Sequence, residues 1–370
     1  MNRVAPGSSS ARETPTSAEE SASRGSVLKF VGVFAITFLI LLVGYLALYR
    51  LVDPRSEYGT GVFPAPLANA RVTKQSLFKE YNAGHKVDAL ILGSSRSMPF
   101  SADIADRVSG HSFFNFSVES AMAEDYLAVY RWARQQGIQP KIIVVGLDVE
   151  ALHPFLKTDD RLVGSPTLYE ALTGHQGVLA NVGYALSRTS DKLTIQNAQA
   201  LLKGIQLKLR PSAQTEIVQA DGHDEYPAYE AQVRAGTFNL ERGISTTLPW
   251  YANQYKDMSR LSKERKGRVA QLVREAVTDG VEVILWIPPL HPRTVKKLGE
   301  STPYSARLRE TIEFAQELAS AFPGKVHAYD LSSPDKFGGD DTDWRDGAHM
   351  NNANAERALR KLLSRDEHGL

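Results

Sequence analysis

The chain contains no cysteine, which excludes disulfides, thiolate metal centres and a cysteine nucleophile and leaves the redox compartment open. It carries almost no excess charge, with 43 lysines and arginines against 42 aspartates and glutamates. No arginine-rich or aromatic-interleaved patch stands out either, so nothing points to nucleic acid as a partner. No fixed period recurs, which argues against solenoids and propellers.

One stretch lacks charge altogether: FVGVFAITFLILLVGYLALY, residues 30–49, bracketed by Lys29 and Arg50. At about 1.5 Å per residue, a helix there spans roughly 30 Å, the thickness of a bilayer core. A cleavable signal has a shorter apolar region, so residues 30–52 read as a retained anchor in contact with the lipid bilayer. Residues 1–29 are rich in Ser, Ala, Thr, Pro and Glu and read as a disordered cytoplasmic tail. Arg3, Arg12, Arg24 and Lys29 precede the span and only Arg50 and Arg55 follow it closely. The positive-inside rule then predicts a single-pass protein of the cytoplasmic (inner) membrane, with its C-terminal part periplasmic or extracellular.

At 370 residues the chain is long enough to bury a sizeable core. Residues 53–85 hold Pro54, Pro64 and Pro66 and read as a linker, with a short helix over KQSLFKEYNAG. From 86 to 370 apolar runs alternate with helical patterns. DALILG, SFFNFSV, KIIVVGL, VEVILWIP and KVHAYDL read as strands; segments 123–137, 265–280, 305–322 and 354–366 read as helices. This alternation predicts an α/β fold with a doubly wound, mainly parallel sheet. Between about 154 and 250 it breaks into helix-like pieces (GVLANVGYALSRTSDKL, TIQNAQALLKGI) and a polar, turn-rich segment. That region reads as a helical and irregular insertion covering the ligand face.

Ligands of open parallel sheets bind at the carboxyl ends of the strands, and three features fall there: GSSR (93–96), GLD (146–148) and DWRDGAHMNNANAERAL (343–359). LILGSSRS, followed far downstream by DGAH, resembles the SGNH, or GDSL-like, hydrolase superfamily. The order of elements fits over most of 86–366, and the pattern is most similar to membrane-anchored envelope relatives, including proteins of polysaccharide O-acetylation and of D-alanyl transfer to teichoic acid. The resemblance implies a flavodoxin-like sandwich with Ser95 as nucleophile, His349 as general base and Asp346 as its orienting partner. Residue chemistry agrees. A serine on a tight turn exposes its hydroxyl, and a carboxylate three residues before a histidine can fold back onto one imidazole nitrogen. A solvated, serine-rich turn and a solvated acidic loop are the plain alternatives.

The chain also departs from the family pattern. In the second block, Asn115 precedes Ser117, which stands where the family places an oxyanion-donating glycine; a backbone N–H survives that change. In the third block, Asp148 replaces an asparagine whose side chain donates to the oxyanion, and an ionised carboxylate there would repel the developing charge. Either Asp148 is protonated, or it points away, or the site is inactive. Arg96 and Asp148 lie at neighbouring strand ends, which predicts that they pair.

His291, in IPPLHPR, is a candidate for lining the substrate cleft, but a structural or surface role is the favoured reading; His153 stands likewise. Trp250 and Tyr251 are candidates for stacking on sugar rings. The resulting expectation is serine-dependent acyl chemistry, esterase or O-acyltransferase, without cofactor or metal. Its substrate would be an envelope glycan, an exopolysaccharide or an acylated carrier, and its partner a membrane-bound acyltransferase. A non-catalytic envelope protein that binds polysaccharide or scaffolds its synthesis is the alternative.

Overall fold

The computed structural model describes residues 17–54, 60, 62–63, 69–174, 192–209 and 216–364. Five short apolar runs pair into one parallel sheet: β1 (Ala89–Leu92), β2 (Phe113–Asn115), β3 (Ile142–Gly146), β6 (Glu282–Ile287) and β7 (Val326–Asp330), in the order β2-β1-β3-β6-β7. Two further strands, β4 (Ile217–Val218) and β5 (Asp224–Glu225), form a separate antiparallel ribbon.

Side chains of a strand alternate between its two faces. Leu90, Leu92, Ile143, Val145, Val283 and Leu285 therefore join one core, under helices Ala123–Gln135, Lys263–Thr278 and Tyr304–Ala321. Ala89, Ile91, Ile142, Val144, Ile284 and Trp286 join the other, under helices Ala102–Ser109 and Asn352–Leu363. Both faces are covered, which is why these strands read as unbroken apolar runs. Each fully buried Leu, Ile or Val side chain contributes about 1.5–3 kcal/mol. The chain steps outward from β1 to β2 and returns to place β3 on the other side of β1. That reversal opens a crevice at the strand carboxyl ends.

By length and composition, Leu28–Val52 can cross a membrane, and the rest of the protein leaves its most apolar stretch uncovered. Its helix starts earlier than the sequence predicts, at Ser17. Within the segment expected to be disordered, residues 17–29 thus continue the helix, since extending a formed helix costs far less than nucleating one. Residues 1–16 lie outside the described residues.

The helix read as part of a linker spans Ala70–His85, capped by Asn69, and belongs to the globular unit. Phe78 packs edge-on against Phe114 at 5.1 Å and against Trp132 at 5.3 Å. Buried Arg71 pairs with Asp125 at 2.6 Å, and buried Lys74 with Asp224 at 2.8 Å. The domain therefore begins near residue 69 and not at 86.

The insertion runs past 250, because its last helix is Leu240–Tyr255. Residues 177–191 of the predicted GVLANVGYALSRTSDKL helix lie outside the described residues, while TIQNAQALLKGI falls in helix Ile195–Leu209. The polar, turn-rich segment packs on the core. The Asp224 N–H donates to Met98 O at 2.9 Å, the Asn115 N–H to Asp221 O at 2.9 Å, and the Ala102 N–H to the Asp221 carboxylate at 3.0 Å. The ribbon thereby clamps the loop that follows β1.

Candidate active site

Gly93 ends β1, and the chain then turns twice: the Ser97 N–H donates to Ser94 O at 2.9 Å and the Phe100 N–H to Ser97 O at 3.0 Å. The Ser97 side chain fills the space between Gly93 and Gly146 of the neighbouring strand, where a Cβ on either glycine would collide with it. Glycine at both positions is thus what lets the turn sit this close to β3.

Asn115 holds the turn from the other side. Its amide donates to the carbonyls of Ser97, Met98 and Phe100 at 2.9, 3.2 and 2.8 Å. Its Oδ1 accepts the Ser117 N–H at 2.9 Å. This corrects the expectation for Ser117, whose N–H is already committed and cannot hold an oxyanion. Asn115 is likewise a brace and not a substrate ligand. We expect Asn115→Ala to destabilise the domain by about 1–3 kcal/mol, since it strands buried carbonyls. Chemical denaturation compared with wild type measures this.

Ser95, His349 and Asp346 come together as the sequence predicted. Ser95 Oγ lies 2.9 Å from His349 Nε2, and His349 Nδ1 lies 2.8 and 3.0 Å from the two Asp346 oxygens. The DGAH loop is closed by a Trp344–Met350 bridge and by the Arg345 N–H donating to His349 O at 2.8 Å. Asp346 Oδ1 also accepts the N–H groups of Ala348 and His349 at 2.7 and 3.0 Å. Burial alone would raise the Asp346 pKa; the His349 imidazole and these N–H donors outweigh it and hold the carboxyl down at about 2.

A carboxyl depressed below its ordinary 3.8 stabilises the fold at pH above that value and loses the contribution as pH falls through about 2. Asp346→Asn should remove this acid-limb dependence. It should also let His349 take the wrong tautomer, lowering kcat on the order of 10⁴-fold; pH-dependent unfolding and turnover of the variant check both.

Arg96 is buried between two carboxylates, 2.7 Å from Asp148 and 2.5 Å from Glu150. The predicted Arg96–Asp148 pair is therefore present, with Glu150 as an additional partner. Tyr251 lies under the guanidinium at 5.3 Å, and buried Tyr255 and Tyr304 stand within its electrostatic reach. Burial pushes the Asp148 carboxyl up, Glu150 adds to the rise and Arg96 opposes it. One Asp148 oxygen faces Arg96, and Ser94 also acts on the carboxyl; among the described residues neither Asp148 Oδ2 nor Arg96 Nε has a partner within ordinary hydrogen-bond geometry.

Two cavities meet at Ser95. One, of about 240 Å³, is lined by Arg96, Met122, Asp148, Glu150 and Leu156 among others; the second, of about 390 Å³, by Tyr226, Arg345, Asp346 and His349. Ser95, Ser120, Trp250 and Tyr251 line both. Trp250 and Tyr251, proposed as aromatic platforms, thus stand at the site.

His291 lines neither cavity, which corrects its candidacy for the cleft and leaves the favoured structural role. It caps helix Pro292–Ser301, its Nδ1 accepting the Arg293 N–H at 3.1 Å while Nε2–H donates to Asp341 O at 3.1 Å. Burial lowers its pKa, consistent with a neutral ring. His153 is similar: Nε2–H donates to Gln254 O at 3.0 Å, and Nδ1 accepts the Phe155 and Leu156 N–H groups.

Sequence reasoning missed Glu150, Ser120, Tyr226 and Arg345. Glu150 sits two residues after Asp148, and a second acid beside a predicted Arg–Asp pair was the available signal. Ser120 adopts φ 52°, a left-handed conformation uncommon outside glycine. The Arg345 guanidinium lies over the Tyr226 ring at 3.3 Å, a pairing across 119 residues that no local pattern announces. No family model and no curated protein matches the chain.

Proposed function

We propose that the protein is a membrane-anchored, extracytoplasmic serine esterase or O-acyltransferase of SGNH type, acting on a cell-envelope or exopolysaccharide substrate through an acyl-enzyme. The observation that carries this reading is the relay Ser95 Oγ–His349 Nε2 at 2.9 Å and His349 Nδ1–Asp346 at 2.8 Å. His349 takes the Ser95 proton as Oγ attacks an ester carbonyl, and Asp346 fixes the tautomer and steadies the imidazolium. His349 then protonates the departing alcohol, leaving the acyl group on Oγ. Water or a sugar hydroxyl, deprotonated by the same imidazole, releases it.

The alcohol oxygen must lie within reach of His349 Nε2, so the cavity lined by His349, Arg345 and Tyr226 takes the alcohol or glycan side. The cavity lined by Met122, Leu156 and Tyr251 takes the acyl group. Trp250, half exposed and shared by both, offers a face on which a sugar ring can stack. The Ser95 N–H is the first oxyanion donor. With Ser117 committed to Asn115, the strained Ser120 on the rim is the position best suited to supply a second.

A mass adduct formed with a small activated ester tests the proposal. Full-length protein in detergent should gain one acyl group, mapped to Ser95, and Ser95→Ala and His349→Ala should gain none. An adduct at another residue, or none in wild type at any pH from 6 to 9, sinks it.

A second reading is favoured by Asp148, which presents a carboxyl where a donor would be expected: a non-catalytic module that binds polysaccharide or scaffolds a biosynthetic complex with a membrane-bound acyltransferase. Glycan binding retained in full by Ser95→Ala, without ester turnover in wild type, distinguishes it.

A further inference from the structure

The cavity assigned to the acyl group is rich in charged residues, yet its surface is mainly apolar. Ser95 stands on its wall, as do Arg96, Asp148 and Glu150. Their charged atoms are turned away from the space. Asp148 Oδ1 and Glu150 Oε1 each hold the Arg96 guanidinium, at 2.7 and 2.5 Å, while Asp148 Oδ2, Glu150 Oε2 and Arg96 Nε are sealed from solvent. A space that admits water would wet any atom facing it. What faces this one is mainly carbon, from Ala121, Met122, Leu156, Trp250 and the Tyr251 ring. Two of these walls are fixed in advance. The Met122 N–H donates to Asp125 Oδ2 at 2.9 Å, and Asp125 is held in turn by Arg71 at 2.6 Å. The Leu156 carbonyl accepts from Arg265 at 2.8 Å, and its N–H donates to His153 Nδ1 at 3.2 Å. Leu156 is nonetheless 37% exposed, so a pinned segment presents an apolar side chain at the edge of the space.

We propose that the group carried on Ser95 is an uncharged acyl chain of medium length, hexanoyl to octanoyl, lying along Met122 and Leu156, and that acetyl esters are poor substrates. This rests on reading Ser95 as the nucleophile and this cavity as the acyl side. Size is the first argument. A dry cavity of roughly 150 Å³ takes a guest the size of benzene. By proportion, the volume of about 240 Å³ here takes about nine or ten carbons. An acetyl group would leave most of it empty. Surface is the second argument. A chain ending in a carboxylate or an ammonium would give up its hydration against a wall that offers it no partner. Each methylene that fits should raise kcat/KM about three- to fourfold, because its burial is realised in the transition state as well as in the complex. Exposed Lys157, which also lines the cavity, remains in solvent.

Full-length protein in one fixed detergent is assayed against nitrophenyl esters from acetyl to octanoyl, and against two hexanoyl analogues that end in a carboxylate or an ammonium. We expect kcat/KM for hexanoyl to exceed that for acetyl by about 100-fold. Both charged analogues should fall about tenfold or more below hexanoyl. Leu156→Trp narrows the space from a partly exposed position and should cut the hexanoyl-to-acetyl ratio about tenfold, while Leu156→Ala should move the optimum toward octanoyl. Acetyl as the best substrate, a charged analogue equal to hexanoyl, or a ratio unmoved by Leu156→Trp overturns the inference and leaves Ser95 as the nucleophile. Absence of turnover with every ester, and of any adduct on Ser95, overturns the proposed reaction and the inference with it.

Discussion

Ser95→Ala is expected to abolish ester turnover, by on the order of 10⁴-fold or more, while leaving the fold intact. Ser95 Oγ lies 2.9 Å from His349 Nε2, and among the described residues no other hydroxyl shares that contact. Ser94 Oγ, on the neighbouring residue, instead accepts the Arg96 N–H at 3.2 Å and is buried. In relays of this kind, removing the nucleophile or the base costs about as much as removing the whole set, so Ser95→Ala and His349→Ala should be similarly inactive and the double variant no worse. Stability should barely move, since Ser95 lies at the cavity rim. Turnover of the single and double variants, with thermal unfolding beside it, measures both parts.

The largest effect on stability belongs to Arg96. Replacement by methionine leaves the buried Asp148 and half-buried Glu150 carboxylates without their shared cation, and breaking a buried pair such as Arg96–Asp148 costs about 3–5 kcal/mol. The loss should ease as pH falls. A carboxyl raised above its ordinary value, as Asp148 is, weakens the fold as pH rises from that ordinary value toward the raised one, and protonation below it restores the contribution. Adding Asp148→Asn to Arg96→Met should recover part of the loss, because one uncompensated charge is then removed. Thermal unfolding of the two variants at pH 5 and pH 8 tests this; equal losses at both pH values would contradict the account of the cluster.

What was legible in the sequence follows from how local the signal was. The central strands β1 and β3 are buried on both faces, and the continuous apolar runs ALIL and IIVVG announce them with no partner in view. The meeting of Ser95, Asp346 and His349 was legible because two short motifs, GSSR and DGAH, carry them and resemble a family in which such residues converge. The committed Ser117 N–H was not legible: a side chain two residues back captures it, and only the bent geometry of that turn decides whether it does. For His291 the favoured structural role holds, but its place was not legible: its proline neighbours suggested a loop, whereas Pro292 begins a helix and His291 caps it. The buried lysine of the leading helix escaped notice for a different reason. Lys74 looks solvated in sequence, and only the distant Asp224 and Ser117 O, both contacting its ammonium, make its burial tolerable.

The central claim is that Ser95 is an activated nucleophile. Labelling of the full-length protein by a fluorophosphonate, which reacts with serines poised by a neighbouring base, tests it most directly. The account predicts one covalent adduct on Ser95, lost in Ser95→Ala and in His349→Ala and strongly slowed in Asp346→Asn. Folded wild-type protein that stays unlabelled, or labelling that survives Ser95→Ala, would contradict it.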